Sequence, residues 1–322
     1  MLVILAAIRY NNKRSDSRLH EQQMKNEELL AALARASSSE TLSDITEPQI
    51  AYAAYTDKTR TISDCASEYA ILIDVDEQTV VAEKNGEDRI YPASMTKIMT
   101  LIVAVEHITD FNERYTMDFD IVNDAYLAGA SIAGFSTGEK VPLIDLLYGA
   151  ALPSGADATA ALARYVAGSE EEFAKLMNEK ARSMGLRSTH FENASGLHDK
   201  NHYSTPHEMA LILEYAMQSP KIAEILSTYT YTTTPTDEHP EGIFLVSTMF
   251  KKMRGDESGV AEVIAGKTGY TVEAHNCLAS MAQTPEGHRY VLVTASAIGE
   301  YAPIFDAIDI YKTYIPLAEK YK

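Results

Sequence analysis

The chain has 322 residues, an apolar content of 46% and a formal net charge of −18 at pH 7. This length and composition allow one large domain or two small ones around a buried core. The acidic balance argues against a nucleic-acid-binding protein, because phosphate groups are bound by clusters of lysine and arginine. With only two cysteines, Cys65 and Cys277, a disulfide scaffold and a cysteine-based zinc cluster are excluded. A bridge between these two remains open if the protein lies in an oxidising compartment.

Residues 1–64 have the composition of a stalk or linker. Residues 1–8 are apolar, but a helix that spans a bilayer needs about 20 apolar residues. We interpret them as the remnant of a signal or anchor segment, and therefore as a possible membrane tether; the alternative is a disordered start without function. Residues 21–36 favour an exposed helix, and the three serines that follow begin a linker.

The pattern changes at Cys65, and we predict one folded domain over residues 65–322. Apolar runs bounded by turn signals predict two strands, and helical periodicity then predicts several helices. Ser169 and Thr205 are predicted N-caps, each followed three residues later by a glutamate. The elements predicted before residue 169 are strands at 69–75 and 79–83 and helices at 94–107, 142–152 and 157–166.

The last part of the domain returns to strands. Residues 261–267, 276–283 and 290–297 are strand-like, and residues 301–317 have the pattern of a helix. Residues 290–295 are apolar on both faces, which predicts helices on both sides of the sheet. The order of strands, helices, strands and helix predicts an α/β (α+β) fold, in which an antiparallel sheet drawn from both ends of the domain is covered by helices and carries an inserted helical block.

Ser94 and Lys97 are the first pair of residues with catalytic potential. They lie three residues apart at the predicted start of a helix, so their side chains share one face. A serine hydroxyl needs a base to become a nucleophile, and a lysine amine serves if burial lowers its pKa. The backbone N–H of Ser94 is a candidate oxyanion donor. The apolar residues that follow, such as Ile98 and Ile102, argue against an ordinary solvated helix face.

Ser154 belongs to a second motif, Ser154-Gly155-Ala156, between two predicted helices. A hydroxyl at this place is suited to pass a proton between Lys97 and a departing amine. The dipeptide Ser-Gly alone usually marks a turn, so its weight comes from its position between the other two motifs.

A third motif, Lys267-Thr268-Gly269, ends a predicted strand. A cation next to a hydroxyl suits the binding of a substrate carboxylate. Gly269 permits close approach of a substrate backbone, and the N–H of Tyr270 is a candidate for the second oxyanion donor.

The three motifs occur in the order found in serine β-lactamases and penicillin-binding proteins. The residues around them are similar to those of the low-molecular-mass penicillin-binding proteins, the serine-type D-alanyl-D-alanine carboxypeptidases. The resemblance covers roughly residues 66–300. It is carried by the stretches 91–100 (YPASMTKIMT), 146–149 (LLYG), 190–197 (HFENASGL), 202–205 (HYST) and 266–271 (GKTGYT).

The resemblance implies a DD-peptidase/β-lactamase-like fold and a serine D,D-carboxypeptidase that removes the terminal D-Ala from peptidoglycan stem peptides ending in D-Ala-D-Ala. It implies β-lactams as inhibitors, no cofactor, no metal, and an extracytoplasmic position, secreted or tethered at the cell wall of a bacterium. The acyl-enzyme would form at Ser94. The residues expected in the site are the catalytic Ser94, Lys97 and Ser154 and the substrate-binding Lys267, Thr268, Gly269 and Tyr270.

Two positions depart from the family pattern. Ala156 stands where the second motif of the family normally ends in asparagine, and loss of such an amide would weaken transition-state binding by about 2–4 kcal/mol. Asn123 and Gln283 are candidates for a replacement amide. His275 stands where the family commonly has glycine, which puts the local backbone shape in question.

Three alternatives stay open. A metallopeptidase would use the histidines at 190, 198, 202 and 207, but Gly and Pro residues around them favour solvated loop positions, and no zinc signature accompanies them. A serine β-lactamase would hold a deacylating water on one of the glutamates at 170–172, although these also fit a helix start. A catalytically impaired homologue that binds muropeptides or penicillin is favoured by Ala156. It is disfavoured by four intact residues, Ser94, Lys97, Ser154 and Lys267.

Overall fold

The computed structural model describes residues 50–253 and 257–315. The apolar start and the helix predicted at 21–36 lie outside these residues. Residues on the linker side of the predicted boundary at 65 pack with the domain, because Ala53 and Ile62 are buried and Arg60–Thr61 forms a strand. Within the described residues, no helix has the length and apolar character needed to cross a bilayer.

A six-stranded sheet forms the centre of the fold. Its strands are β1 (Arg60–Thr61), β2 (Tyr69–Asp74), β3 (Thr79–Lys84), β8 (Glu262–Thr271), β9 (His275–Gln283) and β10 (Arg289–Ala297). Their spatial order is β1-β3-β2-β10-β9-β8. The strand pairs are antiparallel except β1 with β3, which is parallel. This arrangement confirms the predicted antiparallel sheet drawn from both ends of the domain.

The helical block lies between β3 and β8 along the chain, as predicted, and a last helix packs after β10. The helices are α1 (Lys97–His107), α2 (Phe119–Leu127), α3 (Leu143–Ala151), α4 (Ala156–Ala167), α5 (Glu170–Ser183), α6 (Pro206–Ala216), α7 (Pro220–Leu226) and α8 (Ala302–Tyr314). Two small antiparallel pairs accompany them: β4 (Arg114–Thr116) with β5 (Lys140–Pro142), and β6 (Thr230–Thr232) with β7 (Phe244–Val246).

The alternation of side chains along β10 places two hydrophobic clusters on opposite faces of the sheet. Val291 and Val293 belong to the larger cluster together with Ile98 of α1. Leu292 belongs to the second cluster together with Ile310 of α8. The prediction that helices cover both faces is therefore confirmed.

The two N-caps predicted from the sequence, Ser169 and Thr205, are confirmed. The Ser169 hydroxyl accepts a hydrogen bond from the N–H of Glu172, and the Thr205 hydroxyl accepts one from Glu208. One prediction was wrong at its end: β8 does not stop at the third motif but continues to Thr271, because its pairing with β9 extends that far. Cys65 and Cys277 are both free thiols, so they form no bridge with each other.

Candidate active site

Ser94 and Lys97 lie at the junction of a short 3-10 helix (Ala93–Thr96) with α1, on one face of the chain. The Lys97 amine donates a hydrogen bond to Ser94 Oγ at 3.0 Å and another to the carbonyl of Ser195 at 2.5 Å. Ala93, directly before the serine, has φ +46°, a left-handed conformation that costs an alanine energy and is common at functional sites. The serine and the amine are therefore held within hydrogen-bonding distance.

The electrostatics of Lys97 suit a base. Its side chain is buried, and burial lowers the pKa of the amine to about 7. The carboxylates of Asp157 and Glu170 oppose this shift by stabilising the charged form. A sizeable fraction of the amine is consequently neutral near pH 7 and able to accept the Ser94 proton.

Ser154 lies in the connection between α3 and α4, as the sequence predicts, with φ +67°. Its Oγ is buried and has no hydrogen-bond partner among the described residues. Burial of an unpaired hydroxyl costs free energy, so this group is available to a bound substrate. Ala156, at the first residue of α4, lines the same cleft and offers no amide.

The third motif lies on β8, which forms one edge of the sheet. Gly269 packs against the 3-10 helix so closely that a Cβ on it would lie 2.9 Å from the carbonyl oxygen of Pro92 and 3.2 Å from the Ser94 nitrogen. Only glycine allows this approach between the edge strand and the serine. The Thr268 hydroxyl is 2.7 Å from the Thr248 hydroxyl.

Lys267 is placed differently from the sequence expectation. It is 1% exposed, and its amine donates to the carbonyl of Thr268 at 3.1 Å. Burial holds the pKa of this amine well below its usual value, and the charges of Lys97 and Lys252 lower it further. Lys267 therefore lies behind the site and does not line it.

One cleft with a volume of about 620 Å³ contains the remaining predicted residues. Its walls include Ser94, Lys97, Ser154, Thr268, Gly269 and Tyr270. The Tyr270 side chain is 61% exposed at its rim. The structure thus brings six of the seven predicted residues to one surface, and Lys267 is the exception.

Sequence reasoning missed three groups in this cleft. The Ser195 carbonyl that accepts from Lys97 belongs to a stretch noted only for its resemblance. Thr248 and Asn276 also line the cleft, and neither belongs to a motif. The proximity of Asn276 is visible only once β9 is paired with β8, because it faces Tyr270 in that register.

The two suggested replacement amides are not in the cleft. The Asn123 amide donates to Asp124, and the Gln283 amide donates to the carbonyl of Gly287 in the hairpin. Asp157 does not replace the missing group either, because its carboxylate accepts the N–H groups of Ala133 and Gly134. Neither of the two amides suggested from the sequence therefore lies where it could replace the missing asparagine.

The interpretation of the histidines as solvated loop residues was wrong for two of them. His202 is 2% exposed and bonded to the Thr96 hydroxyl, and His207 is fully buried against Glu87. Among the described residues, no group of three or more histidine, cysteine or carboxylate side chains is arranged to hold a metal ion.

Glu170, one of the glutamates considered for holding a deacylating water, is used elsewhere in the structure. The Glu170 carboxylate accepts the N–H of Ala194 at 3.2 Å and does not line the cleft. This hydrogen bond ties the carboxylate to the backbone of the 193–196 loop.

His275 has φ +53°, the left-handed region that glycine favours, which explains why a glycine is expected there.

Comparison with known proteins gives one consistent result. A family model described as D-alanyl-D-alanine carboxypeptidase (peptidase family S11) matches residues 55–298. The D-alanyl-D-alanine carboxypeptidase DacF of Bacillus subtilis is 36% identical over 215 residues, which cover 66% of this chain and 53% of that protein. DacC of Escherichia coli is 38% identical over 148 residues, covering 44% of this chain and 37% of that protein. The chain thus matches about half or less of the length of these relatives.

The fold comparison agrees with the sequence comparison. The crystal structure of the Streptomyces K15 DD-transpeptidase superposes with a TM-score of 0.68 at 26% identity, covering 78% of this chain and 98% of that one. This likeness confirms the DD-peptidase-like fold expected from the three motifs.

Proposed function

Because the chain belongs to the D-alanyl-D-alanine carboxypeptidase family, we propose that it is a serine D,D-carboxypeptidase that removes the terminal D-Ala from peptidoglycan stem peptides. The observation that carries this proposal is the 3.0 Å hydrogen bond from a buried, low-pKa Lys97 to Ser94 in a cleft bounded by the third motif. Peptidoglycan lies outside the cytoplasmic membrane, so the proposed place of action is extracytoplasmic. A tether through residues 1–8 is part of the proposal.

Acylation begins with proton transfer from Ser94 to the neutral Lys97 amine. Ser94 Oγ then attacks the carbonyl carbon of the penultimate D-Ala, and the C=O electron pair moves onto the oxygen. The N–H groups of Ser94 and Tyr270 are the proposed donors to this oxyanion. When the tetrahedral intermediate collapses, the C–N bond breaks, and the terminal D-Ala leaves.

The leaving amine requires a proton. The Ser154 hydroxyl, which is buried and has no partner among the described residues, is the proposed donor, and it is resupplied from protonated Lys97. Thr268 would bind the terminal carboxylate from the cleft wall, with Lys267 behind it. Water then attacks the carbonyl carbon of the ester while Lys97 takes its proton. The C–O bond to Ser94 breaks, Lys97 returns the proton to Ser94 Oγ, and the shortened peptide leaves with a free carboxyl group. β-Lactams would acylate the same oxygen.

The test combines two measurements: the intact mass of the protein after incubation with penicillin, and D-Ala release from a peptide ending in D-Ala-D-Ala. A stable adduct together with D-Ala release supports the proposal, and Ser94→Ala should abolish both. An adduct that disappears quickly would indicate a β-lactamase. The absence of any D-Ala release would overturn the carboxypeptidase assignment.

A second candidate is favoured by Ala156, which leaves the cleft without the family's amide. On that view the protein binds muropeptides or penicillin and hardly turns them over. A penicillin adduct at Ser94 without D-Ala release would select this candidate.

A further inference from the structure

A substrate that ends in a carboxylate requires a cation that it can reach. Lys97 is hydrogen-bonded to Ser94 and has a lowered pKa, so it is suited to a base and not to a permanent positive charge. The Lys267 amine is buried, faces the carbonyl of Thr268, and has a pKa well below its usual value. The cleft has two further lysines in its wall, Lys251 and Lys252.

Both lysines lie in the turn that follows β7, and this turn is fixed next to the third motif. The N–H of Thr248 donates to the carbonyl of Leu152 at 2.9 Å, and the Thr248 hydroxyl is 2.7 Å from that of Thr268. The N–H of Lys252 donates to the carbonyl of Met249 at 2.9 Å. The backbone of Lys252 therefore lies one turn after Thr248, whose hydroxyl pairs with that of Thr268 in the cleft wall.

The Lys252 side chain is partly buried, with 18% of its surface exposed. Its amine lies 3.1 Å from a carboxylate oxygen of Glu300 and 5.6 Å from the ring centre of Tyr301, and both partners also line the cleft. The same amine also donates to the backbone carbonyl of Glu300 at 3.5 Å. An ammonium group has three N–H donors, so one donor is left for a second carboxylate. Partial burial reduces screening of this charge by salt.

Lys251 differs from Lys252 in both its exposure and its ion pairing. It is exposed, and among residues 50–253 and 257–315 it has no ion-pair partner. Lys252, by contrast, is held in the cleft wall by its contacts with Glu300 and Tyr301. The two lysines therefore offer a matched comparison.

We propose that Lys252 is the cation that binds the terminal carboxylate of the substrate, next to the hydroxyls of Thr268 and Thr248. This inference rests on the proposed carboxypeptidase function and assigns it a specificity residue. Glu300 then holds the Lys252 amine in place while the site is empty and shares it when the substrate carboxylate arrives.

The test compares two peptides, one ending in D-Ala-D-Ala with a free carboxylate and the same peptide with a C-terminal amide. The measured quantity is kcat/KM for release of the last residue, followed by mass spectrometry. The unmodified protein should prefer the carboxylate. Lys252→Met should lower kcat/KM for the carboxylate peptide about 10- to 100-fold, the range for a lost hydrogen bond to a charged group, and change the amide peptide about twofold at most.

Lys251→Met removes the same charge one residue away and should reduce the carboxylate preference less than Lys252→Met does. Glu300→Gln should increase that preference, because it removes the competing carboxylate. An unchanged preference in Lys252→Met, or a larger loss in Lys251→Met, would overturn the inference. If Lys252→Met is inactive on both peptides, Lys252→Arg and Glu300→Gln decide: loss of the preference in the former or no gain in the latter would refute it.

The same experiment separates this inference from the proposed function. Release from neither peptide by the unmodified protein would refute the carboxypeptidase assignment, and this inference with it. Release that is indifferent to Lys252 would refute the inference alone.

Discussion

The His202 ring lies 2.7 Å from the hydroxyl of Thr96, the residue directly before Lys97. Its other ring nitrogen, Nδ1, accepts the N–H of Glu192 at 3.1 Å, so the neutral ring carries its proton on Nε2 and donates to Thr96. Burial lowers the pKa of His202 to about 4, and the charge of His190 adds to this effect. A neutral histidine thus supports the turn that presents the serine and the lysine.

Acid should therefore destabilise the fold through His202. Above its unfolded pKa of about 6.5 the ring is neutral in both states, and between that value and about 4 the unfolded chain binds the extra proton. We expect a loss of about 2–3 kcal/mol in the free energy of unfolding between about pH 7.5 and about pH 4.5 from this group. Urea unfolding of the unmodified protein and of His202→Gln at both pH values measures it. Equal losses in the two proteins would contradict the prediction.

Acylation of Ser94 should follow the titration of Lys97. Because the neutral amine is the base, the rate of penicillin acylation should rise with pH through about 7 and then level off. Lys97→Arg should slow acylation on the order of 10³-fold, since a guanidinium stays protonated. Stopped-flow or mass-resolved acylation rates across pH provide the measurement. An inflection near the usual lysine value would show that the amine is not desolvated in solution.

Glu170 offers a second test of the Lys97 titration, because its carboxylate raises the pKa of that amine. Its negative charge favours protonated Lys97, so Glu170→Gln should move the inflection of the acylation rate to lower pH. The glutamine oxygen can still accept the N–H of Ala194, which preserves the loop. The opposite shift would mean that the carboxylate does not act on Lys97 through its charge.

Ala156→Asn should restore an amide in the cleft. If the missing hydrogen bond limits transition-state binding, kcat/KM for D-Ala release should rise at least about tenfold. Ala156→Leu is the size control, because it fills a similar volume without a donor, and it should not accelerate release. Unchanged rates in the asparagine variant would show that the missing amide is not limiting.

Local sequence signals predicted the parts of the site that depend on local geometry. Ser94 and Lys97 meet because residues three apart share a helix face, and the caps at Ser169 and Thr205 close within one turn. The continuous apolar run at 290–295 likewise predicted that both faces of β10 are covered. These features need no information about distant residues.

The features that escaped prediction depend on long-range packing. The burial of Lys267 follows from how β8 is covered, which no motif encodes. Thr248 reaches Thr268 from a turn without hydrophobic periodicity. His202 lies 106 residues beyond Thr96 in the chain, so its role is visible only once its loop is folded against the 3-10 helix.

Gly196 lies against the carbonyl of Ala93: a Cβ added to it would be 1.9 Å from that oxygen. Its φ of +79° is also left-handed. Since Ala93 precedes Ser94, Gly196→Ala must displace the turn that carries the nucleophile. We expect penicillin acylation to fall at least about tenfold, in line with the cost of misplacing a reacting group.

Substitution of Gly185 is the control that distinguishes the steric clash at Gly196 from the strain of a left-handed backbone. Gly185 has a nearly identical φ of +78°, but no atom lies within 4 Å of an added Cβ. Gly185→Ala should therefore lose about 1–2 kcal/mol of unfolding free energy while its acylation rate stays unchanged. Gly196→Ala should lose acylation in addition to that stability, because its new methyl group meets backbone that cannot rotate away. If both variants acylate as fast as the unmodified protein, the contact between Gly196 and Ala93 does not position Ser94.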